Sequence, residues 1–294
     1  TRSQVLLATI QSLHSLKDKR DLVEPPFDLV IIDEAHSFSH DANSRYSQFL
    51  SAQRAANPEL QLVGLTATPY RLDSGHLTAA PTLFPVAQQA VAKIKWDEQP
   101  SAPRLFDKVV FEYGITQAIR DGYLCPLVTR CTKAELDIPA ERKQLTKKDF
   151  DPSDLESLVN TQALNELICA EIVEQGKHRK TWLIFCVSIE HAKAVASTIT
   201  RLLQAEDSSS EGVCEAVYGS MPLKERERLV ERYRAGEIRA LTNVGVLTVG
   251  FNVPEVDLVA LCRPTLSGSL YVQMVGRGAR TAPGKNDCVV LDFA

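Results

Sequence analysis

The chain has 294 residues, of which 44% are hydrophobic and 24% are charged. This length allows two domains with separate cores, because domains cluster at roughly 100 to 200 residues, and the composition excludes a collagen-like, low-complexity or disordered protein. With 33 basic and 37 acidic residues the net charge is −4, which neither indicates nor excludes a nucleic-acid partner, since a local basic groove can lie on an acidic protein.

Cysteine usage and the absence of long apolar stretches bear on where the protein works. No apolar stretch reaches the roughly 18 residues needed to span a bilayer, and the start TRSQVLLATI lacks the pattern of a signal peptide. The seven cysteines occur singly, several of them in apolar runs such as LIFCV, with no C-x-x-C pair. This pattern favours buried thiols in a reducing compartment. We therefore expect a cytoplasmic protein that does not contact a membrane.

Short β-branched runs alternate with longer helical patterns, which is typical of βαβ units and parallel sheets. Strands are predicted at 5–10, 27–33, 60–68 and 108–113 in the first part, and at 127–131, 181–187, 213–218, 238–244, 256–262 and 287–293 in the second. Helices are predicted at 44–57, 115–122, 153–176, 188–206 and 222–236. The strands are apolar nearly throughout, so the prediction is an α/β fold of mostly parallel sheets covered by helices on both faces.

Local signals refine the element ends. Ser153 followed by Glu156 has the spacing of a capping box, and Gly176 and Gly236 lie where helices should end. The pattern breaks at DGYLCP, so the domain boundary is expected within residues 114–126.

The first candidate for chemistry is VIIDEAH, residues 30–36. Asp33 and Glu34 end an apolar strand, and open parallel sheets bind ligands at that edge. One carboxylate can hold Mg²⁺ while the second orients water, as hydrolysis of a nucleoside triphosphate requires. An acidic pair after a strand is more often a helix start or a solvated turn, so the pair does not decide the matter alone.

Three further stretches supply the context. GLTATPYR (64–71) ends another apolar strand, and if both strands end at one sheet edge then Thr66 and Thr68 lie near His36. YVQMVGRGAR (271–280) carries Gln273, Arg277 and Arg280 at near-helical spacing, with Gly276 and Gly278 allowing a close backbone approach to a partner. LTNVGVLTVGFNVPEVD (241–257) contains Gly250 and Asn252, which suit contact with phosphate or ribose. Taken alone, these stretches also fit a strand-to-turn transition, a basic helix face and an ordinary loop.

In order and spacing these stretches resemble the motifs of superfamily 2 helicases and translocases of the DEAD/DEAH type. DEAH resembles motif II, TAT motif III, LIFCVSIEHA motif IV, TNVGVLTVGFNVPEVD motif V and QMVGRGAR motif VI, while VLLATIQSL (5–13) resembles the segment ahead of motif II. Phrases such as GLTATPYRL, IRDGYLCPL and SLYVQMVGRGAR are most similar to the bacterial RadD-like DNA-repair ATPases. Type I restriction motor subunits and the repair helicases of the XPB and UvrB kind share several of these phrases.

The resemblance implies two RecA-like domains, 1–118 (motifs Ib, II and III, incomplete at its start) and 119–294 (motifs IV, V and VI). It implies ATP between them and a single strand of nucleic acid, DNA more than RNA, bound through its backbone. Asp33 would hold Mg²⁺ and Glu34 would orient water. His36 and Gln273 would link the two sides of the ATP site, and Arg277 and Arg280 would be arginine fingers. Gly250 and Asn252 would contact the nucleotide, while Thr66 and Thr68 would couple the nucleotide state to the nucleic-acid site. The residues implied to contact the backbone of the nucleic-acid strand are Thr9, Gln11, Ser188 and Thr242.

Departures from the family pattern also carry expectations. Asn252 stands where relatives commonly have an acidic residue, so it keeps an oxygen acceptor but loses the charge. Val249 stands where many relatives carry a polar residue. No G-x-x-x-x-G-K-[ST] loop is present, because the sequences GKH (176–178) and GKN (284–286) lack its hydroxyl residue and earlier glycine. We therefore expect a fragment whose phosphate-binding loop lies upstream, and which does not hydrolyse ATP alone.

Two alternatives stay open. The chain could be the motor subunit of a type I or type III restriction enzyme, which a nuclease domain in the neighbouring sequence would favour. It could instead be a nucleotide-independent nucleic-acid binding module that has lost its phosphate-binding loop. The presence together of Asp33, Glu34, Arg277 and Arg280 argues against that second alternative, since a dead site has no need of all four.

Overall fold

In a computed structural model the chain forms two compact units, residues 1–111 and 112–294. The structure describes residues 5–14, 26–38, 43–71, 75–78, 105–136, 149–206, 214–246 and 252–294. The domain boundary predicted between residues 118 and 119 would divide the helix predicted at 115–122. That helix lies wholly in the second unit. No helix within these residues is long and apolar enough to cross a membrane.

The first unit is built on two short parallel strands. Its elements in chain order are α1 (Ile10–His14), β1 (Leu29–Ile32), α2 (Arg45–Ala56), β2 (Gln61–Gly64), β3 (Tyr70–Arg71) and β4 (Gly75–His76). β1 and β2 pair in parallel, and β3 and β4 form an antiparallel hairpin. α2 begins where the Ser44 hydroxyl accepts a hydrogen bond from the Ser47 amide, an N-cap that satisfies an otherwise unpaired donor. The strands predicted at 27–33 and 60–68 are confirmed.

The second unit contains a six-stranded sheet in the order β5-β10-β9-β6-β8-β7, with every pair parallel. Its strands are β5 (Leu127–Arg130), β6 (Trp182–Phe185), β7 (Cys214–Tyr218), β8 (Ala240–Val244), β9 (Leu258–Leu261) and β10 (Cys288–Asp292). All six were predicted. The central strands β6 and β9 are apolar throughout, as expected of strands covered on both faces.

Helices cover both faces of this sheet. They are α3 (Ile115–Arg120), α4 (Pro152–Val159), α5 (Gln162–Gly176), α6 (Ile189–Glu206), α7 (Leu223–Arg234) and α8 (Gly268–Gly276). Ile184 of β6 packs into one core with α4, α5 and α6, while its neighbour Leu183 packs into the opposite core with α7 and α8. The α/β fold with covered faces is therefore confirmed.

Two predicted strands are wrong. Residues 5–9 and 107–114 form no strand, and Leu7 and Phe111 are 92% and 79% exposed. A strand needs a neighbour that takes up its backbone hydrogen bonds. None of the described strands pairs with either segment.

The single helix predicted at 153–176 is also wrong, since α4 and α5 are separate. The Thr161 hydroxyl accepts a hydrogen bond from the Leu164 amide (3.4 Å) and starts the second helix. The capping box at Ser153 is wrong as well, because α4 already begins at Pro152, and proline suits the first helical turn, where its missing N–H is not needed. Gly236 follows α7 with φ of 77°, so the predicted stop there is confirmed. Gly176 does end α5, but for a packing reason: a Cβ there would overlap the Trp182 ring.

None of the seven cysteines forms a disulfide, and six of them are buried, with Cys131 the exposed exception. Burial raises the pKa of Cys169 and of Cys288 to about 12, and raises the pKa of Cys186 well above its ordinary value. These buried thiols stay protonated and serve as small apolar core residues, as the sequence predicted.

Candidate functional site

The carboxyl ends of β1 and β2 lie side by side. Their backbone pairing continues past the strands, because the Leu65 amide donates to the Ile32 carbonyl (2.8 Å) and the Ala35 amide donates to the Leu65 carbonyl (2.9 Å). Ala35 is 1% exposed and anchors this turn in the core of the first unit. The residues that follow each strand therefore meet at one edge of the sheet.

Asp33 and Glu34 form the turn that leaves β1. Asp33 is exposed, and its Oδ1 accepts a hydrogen bond from the Glu34 amide (2.9 Å). Glu34 has φ of 50° and ψ of 48° and is the one non-glycine residue with positive φ in the described parts of the chain. A left-handed non-glycine residue costs roughly 1–3 kcal/mol and is concentrated at functional sites. The outlier supports a functional role for this turn.

His36 joins the two strand ends. Its Nδ1 lies 2.9 Å from the Thr66 hydroxyl, which itself donates to the Thr68 carbonyl (3.1 Å) and accepts from the Thr68 amide (3.0 Å). A hydroxyl has one hydrogen, so His36 Nδ1 must be the donor in this contact. Glu34 Oε2, 3.4 Å from the same nitrogen, is also an acceptor. The predicted proximity of Thr66 to His36 is confirmed, and the hydrogen-bond pattern calls for a proton on His36 Nδ1.

Thr68, Thr9 and Gln11 differ in their access to solvent. Thr68 is 1% exposed, so it supports the turn from inside. Thr9 is exposed and caps α1, because its hydroxyl accepts a hydrogen bond from the Ser12 amide (3.1 Å). Gln11 lies in the first turn of α1 and is exposed. The roles of Thr9 and Gln11 as strand contacts stay predictions.

The arginine-bearing stretch is only partly helical. Gln273 lies in α8 and Arg277 is its C-cap, so these half-buried residues, four apart, share a face. The near-helical spacing also predicted Arg280 on this face, and that prediction is wrong. The helix α8 ends at Gly276, and Arg280 pairs with Leu124 in an antiparallel bridge.

Gly278 explains the turn after α8. A Cβ on Gly278 would overlap the Sγ of Cys288 on β10 and press on Val259 of β9. The absent side chain therefore lets the chain cross close over the sheet of its own unit. A Cβ on Gly276 would meet no atom within 4 Å, and the close approach of Gly276 and Gly278 to a partner stays a prediction.

Arg280 and Asn252 are in direct contact. The Asn252 side-chain oxygen accepts a hydrogen bond from Arg280 Nη1, and its backbone carbonyl accepts two from Arg234, at Nε (3.1 Å) and Nη2 (2.9 Å). Asn252 was predicted to contact the nucleotide, which stays a prediction, and here its side-chain oxygen contacts Arg280. Gly250 and Val249, the other predicted positions of this loop, lie outside the described residues.

Ser188 and Thr242 were both predicted to touch a nucleic-acid strand. The Ser188 hydroxyl caps α6 by accepting a hydrogen bond from the His191 amide (3.0 Å), at the helix end that follows β6. Thr242 is wrong as a contact, because it is fully buried and its hydroxyl donates to the Ala192 carbonyl (2.9 Å). A threonine in a central strand can satisfy its hydroxyl on the helix above it.

His191, in the first turn of α6, is a buried titratable residue that the sequence analysis did not single out. The residue is fully buried, with an exposure of 0%. Burial lowers its pKa from 6.5 to about 4, and the negative charge of Glu156 opposes this shift only in part. Its Nδ1 accepts a hydrogen bond from the Val187 amide (3.4 Å), so the neutral ring carries its proton on Nε2. Protonation of Nδ1 would break this bond and bury a charge.

We predict that this group makes the fold sensitive to mild acid. Above pH 6.5 the ring is neutral in the folded and unfolded states, but between pH 6.5 and about 4 only the unfolded state binds the proton. The free energy of unfolding therefore falls as pH falls, by at most about 1.4 kcal/mol per pH unit. Urea denaturation near pH 7 and near pH 5 should show a smaller loss in His191→Gln than in the wild type. The exposed His178→Gln is the matched control, and equal losses in all three proteins would contradict the prediction.

The donor set at the end of β1 suits a magnesium ion carried by a nucleotide. An exposed carboxylate such as that of Asp33 is a hard oxygen ligand of the kind Mg²⁺ prefers, and Mg²⁺ commonly takes one or two carboxylates with phosphates and water as its other ligands. No group of three or more His, Cys, Asp or Glu side chains gathers as a metal site in the part of the chain that is described.

Comparison with protein families gives two matches in chain order. Residues 1–71 match the family described as type III restriction enzyme, res subunit, and residues 162–282 match the helicase conserved C-terminal domain. Over 295 aligned residues the chain is 30% identical to the Saccharomyces cerevisiae protein named "Putative ATP-dependent helicase IRC3". That alignment covers 99% of this chain and 37% of the yeast protein.

Solved structures show the same fold. A fragment of an HsdR-type subunit of a type I restriction enzyme from Vibrio vulnificus matches with a TM-score of 0.61 at 24% identity, over 92% of this chain and 44% of that one. The Mycobacterium smegmatis helicase Lhr, bound to single-stranded DNA and AMP-PNP, matches with a TM-score of 0.53 at 18% identity, over 93% of this chain and 29% of that one. The chain thus spans less than half the length of each of these proteins.

Proposed function

We propose that this chain, which belongs to the superfamily 2 helicases and has a ResIII-like core, is the motor of an ATP-driven translocase that acts on single-stranded DNA in repair. The observation that carries the proposal is the joined edge of β1 and β2, where Asp33 and Glu34 leave one strand and His36 is hydrogen-bonded to Thr66 after the other. Carboxylates for a metal and for water, coupled to a second strand end, are what ATP hydrolysis needs.

Each residue has a role in the proposed reaction. Asp33 would hold Mg²⁺, which supplies charge neutralisation on the phosphates of ATP. Glu34 accepts a hydrogen bond from the attacking water and takes its proton. Arg277 and Arg280 stabilise the negative charge that develops on the transferred phosphoryl group. The roles of Gln273 and His36 near ATP follow from the family resemblance alone.

Nucleic-acid binding is proposed to occur through the DNA backbone. The exposed Thr9 and Gln11 and the half-buried Ser188 are the contacts that remain after Thr242 is excluded. The bonds of Thr66 to His36 and Thr68 support its proposed role in coupling nucleotide state to nucleic-acid binding. Backbone contacts read phosphates, so low sequence preference and high salt dependence are expected.

The test is an ATPase assay on the full-length protein, with and without single-stranded DNA. We predict hydrolysis that single-stranded DNA stimulates, with an apparent DNA affinity that falls steeply as salt rises. Equal stimulation by single-stranded RNA would contradict the assignment to DNA. No hydrolysis with any nucleic acid would contradict the motor itself, and binding of DNA that is unchanged by ATP would favour a nucleotide-independent module.

A restriction motor is the second candidate, favoured by the match of residues 1–71 to the res subunit family. The two candidates use the same ATP chemistry but differ in what accompanies it. A nuclease domain in the same polypeptide, and cleavage of duplex DNA during translocation, would support the restriction motor. Translocation without cleavage supports the repair role, which rests on the resemblance to RadD-like ATPases.

A further inference from the structure

Lys285 lies in the sequence GKN, which fails as a phosphate-binding loop. Its ammonium group is instead surrounded by backbone carbonyls, because Nζ donates to Pro254 (2.9 Å), Gly278 (2.8 Å) and Arg280 (2.7 Å). An ammonium has three N–H donors, so all three are used. The lysine is half-buried, and these contacts account for its whole hydrogen-bonding capacity.

The three carbonyls belong to two separate loops. Pro254 lies two residues after Asn252, whereas Gly278 and Arg280 form the turn after α8. Lys285 therefore ties the loop that carries Asn252 to the turn that carries Arg280. The bond between the side chains of Asn252 and Arg280 joins the same two loops.

The turn that delivers Lys285 is itself well defined. Gly284 has φ of 75°, which a residue with a side chain rarely adopts, and the Lys285 amide donates to the Ala282 carbonyl (3.1 Å). The three hydrogen bonds from the Lys285 ammonium group are charge-assisted, and such bonds are about twice as strong as neutral ones. An ammonium at the centre of three carbonyls thus fixes the backbone of Arg280 relative to Asn252.

We propose that Lys285 is a positioning residue for ATP hydrolysis, which acts by holding the backbone of Arg280 where its guanidinium meets the reacting phosphoryl group. The inference rests on the proposed function, since it gives Lys285 a role in that same reaction. Lys285 acts through Arg280 and contacts no phosphate. Its loss allows the Arg280 turn to shift away from the loop of Asn252.

The test compares Lys285→Met and Lys285→Arg in the full-length protein, with kcat and KM for ATP measured under saturating single-stranded DNA. Because misplacement of a transition-state contact by about 1 Å can cost roughly 100-fold, we expect kcat to fall by about 10- to 100-fold in Lys285→Met, with KM within about 3-fold of wild type. Lys285→Arg keeps the charge, but a planar fork cannot direct donors at three converging carbonyls, so kcat falls there too. Lys224→Met, at an exposed lysine of α7, is the matched control and should behave as wild type.

A double-mutant cycle separates positioning from a general loss of structure. In an Arg280→Ala background, Lys285→Met should have almost no further effect on kcat, because the residue that it positions is absent. Equal kcat in Lys285→Met and wild type, or a full additional loss in the Arg280→Ala background, would overturn the inference. If Lys285→Met does not fold, the same comparison with Lys285→Arg decides. Absence of hydrolysis in the wild type would instead overturn the proposed function.

Discussion

In the full-length protein, Glu34→Gln is expected to lower kcat for ATP hydrolysis by about 10²- to 10⁴-fold while ATP still binds, the range that a positioned general base contributes. Glutamine keeps the size of Glu34 and one side-chain oxygen, but it cannot take the proton of the attacking water. The left-handed backbone at residue 34 is set by the turn between Asp33 and Ala35, and glutamine adopts it as readily as glutamate does.

Two measurements define the outcome. Single-turnover hydrolysis gives the loss in the chemical step, and equilibrium binding of a fluorescent ATP analogue gives the affinity, which should stay within a few-fold of wild type. Glu59→Gln, at an exposed glutamate of the same unit, is the control for the change of charge. A near-normal kcat in Glu34→Gln would remove Glu34 from its proposed role.

The sheet of the second unit could be predicted from sequence because its central strands are short runs of apolar residues. Strands such as β6 and β9, buried on both faces, must be apolar throughout, and few other elements of that length are. The same criterion failed at 5–10 and 108–113, since an apolar run shows only that burial is favourable. Whether a neighbouring strand is there to receive the backbone is a property of the fold, which the run does not contain.

The candidate site divides in the same way. His36 and Thr66 could be brought together from sequence, because the ends of two adjacent parallel strands share an edge whatever the rest of the fold does. The end of α8 at Gly276 could not be predicted in this way, because the near-helical spacing of Gln273, Arg277 and Arg280 continues past it. The side chains of Thr242 and Lys285 are held by hydrogen bonds to backbone carbonyls of other elements. Such contacts leave no pattern in the sequence next to either residue.

Arg280→Ala in the full-length protein is expected to lower kcat by about 10³-fold or more, the scale on which an arginine finger acts. The guanidinium carries five N–H donors, and one of them donates to the Asn252 side-chain oxygen. Truncation removes charge stabilisation that exists only in the transition state, so kcat falls with little change in KM. Stopped-flow measurement of phosphate release, with saturating single-stranded DNA, gives both constants.

Variants of the neighbouring residues separate a finger from a structural arginine. Arg280→Lys keeps the charge but loses the planar fork, so a finger predicts a loss that is smaller than in alanine yet still large. Asn252→Ala removes the contact that orients Arg280, but the guanidinium group itself is still present. We therefore expect kcat to fall by much less than in Arg280→Ala. Arg228→Ala, at an exposed arginine of α7, should leave kcat unchanged. If Asn252→Ala and Arg280→Ala lost activity equally, with a matching fall in thermal stability, the bond between them would be structural, and Arg277 alone would remain as the candidate finger.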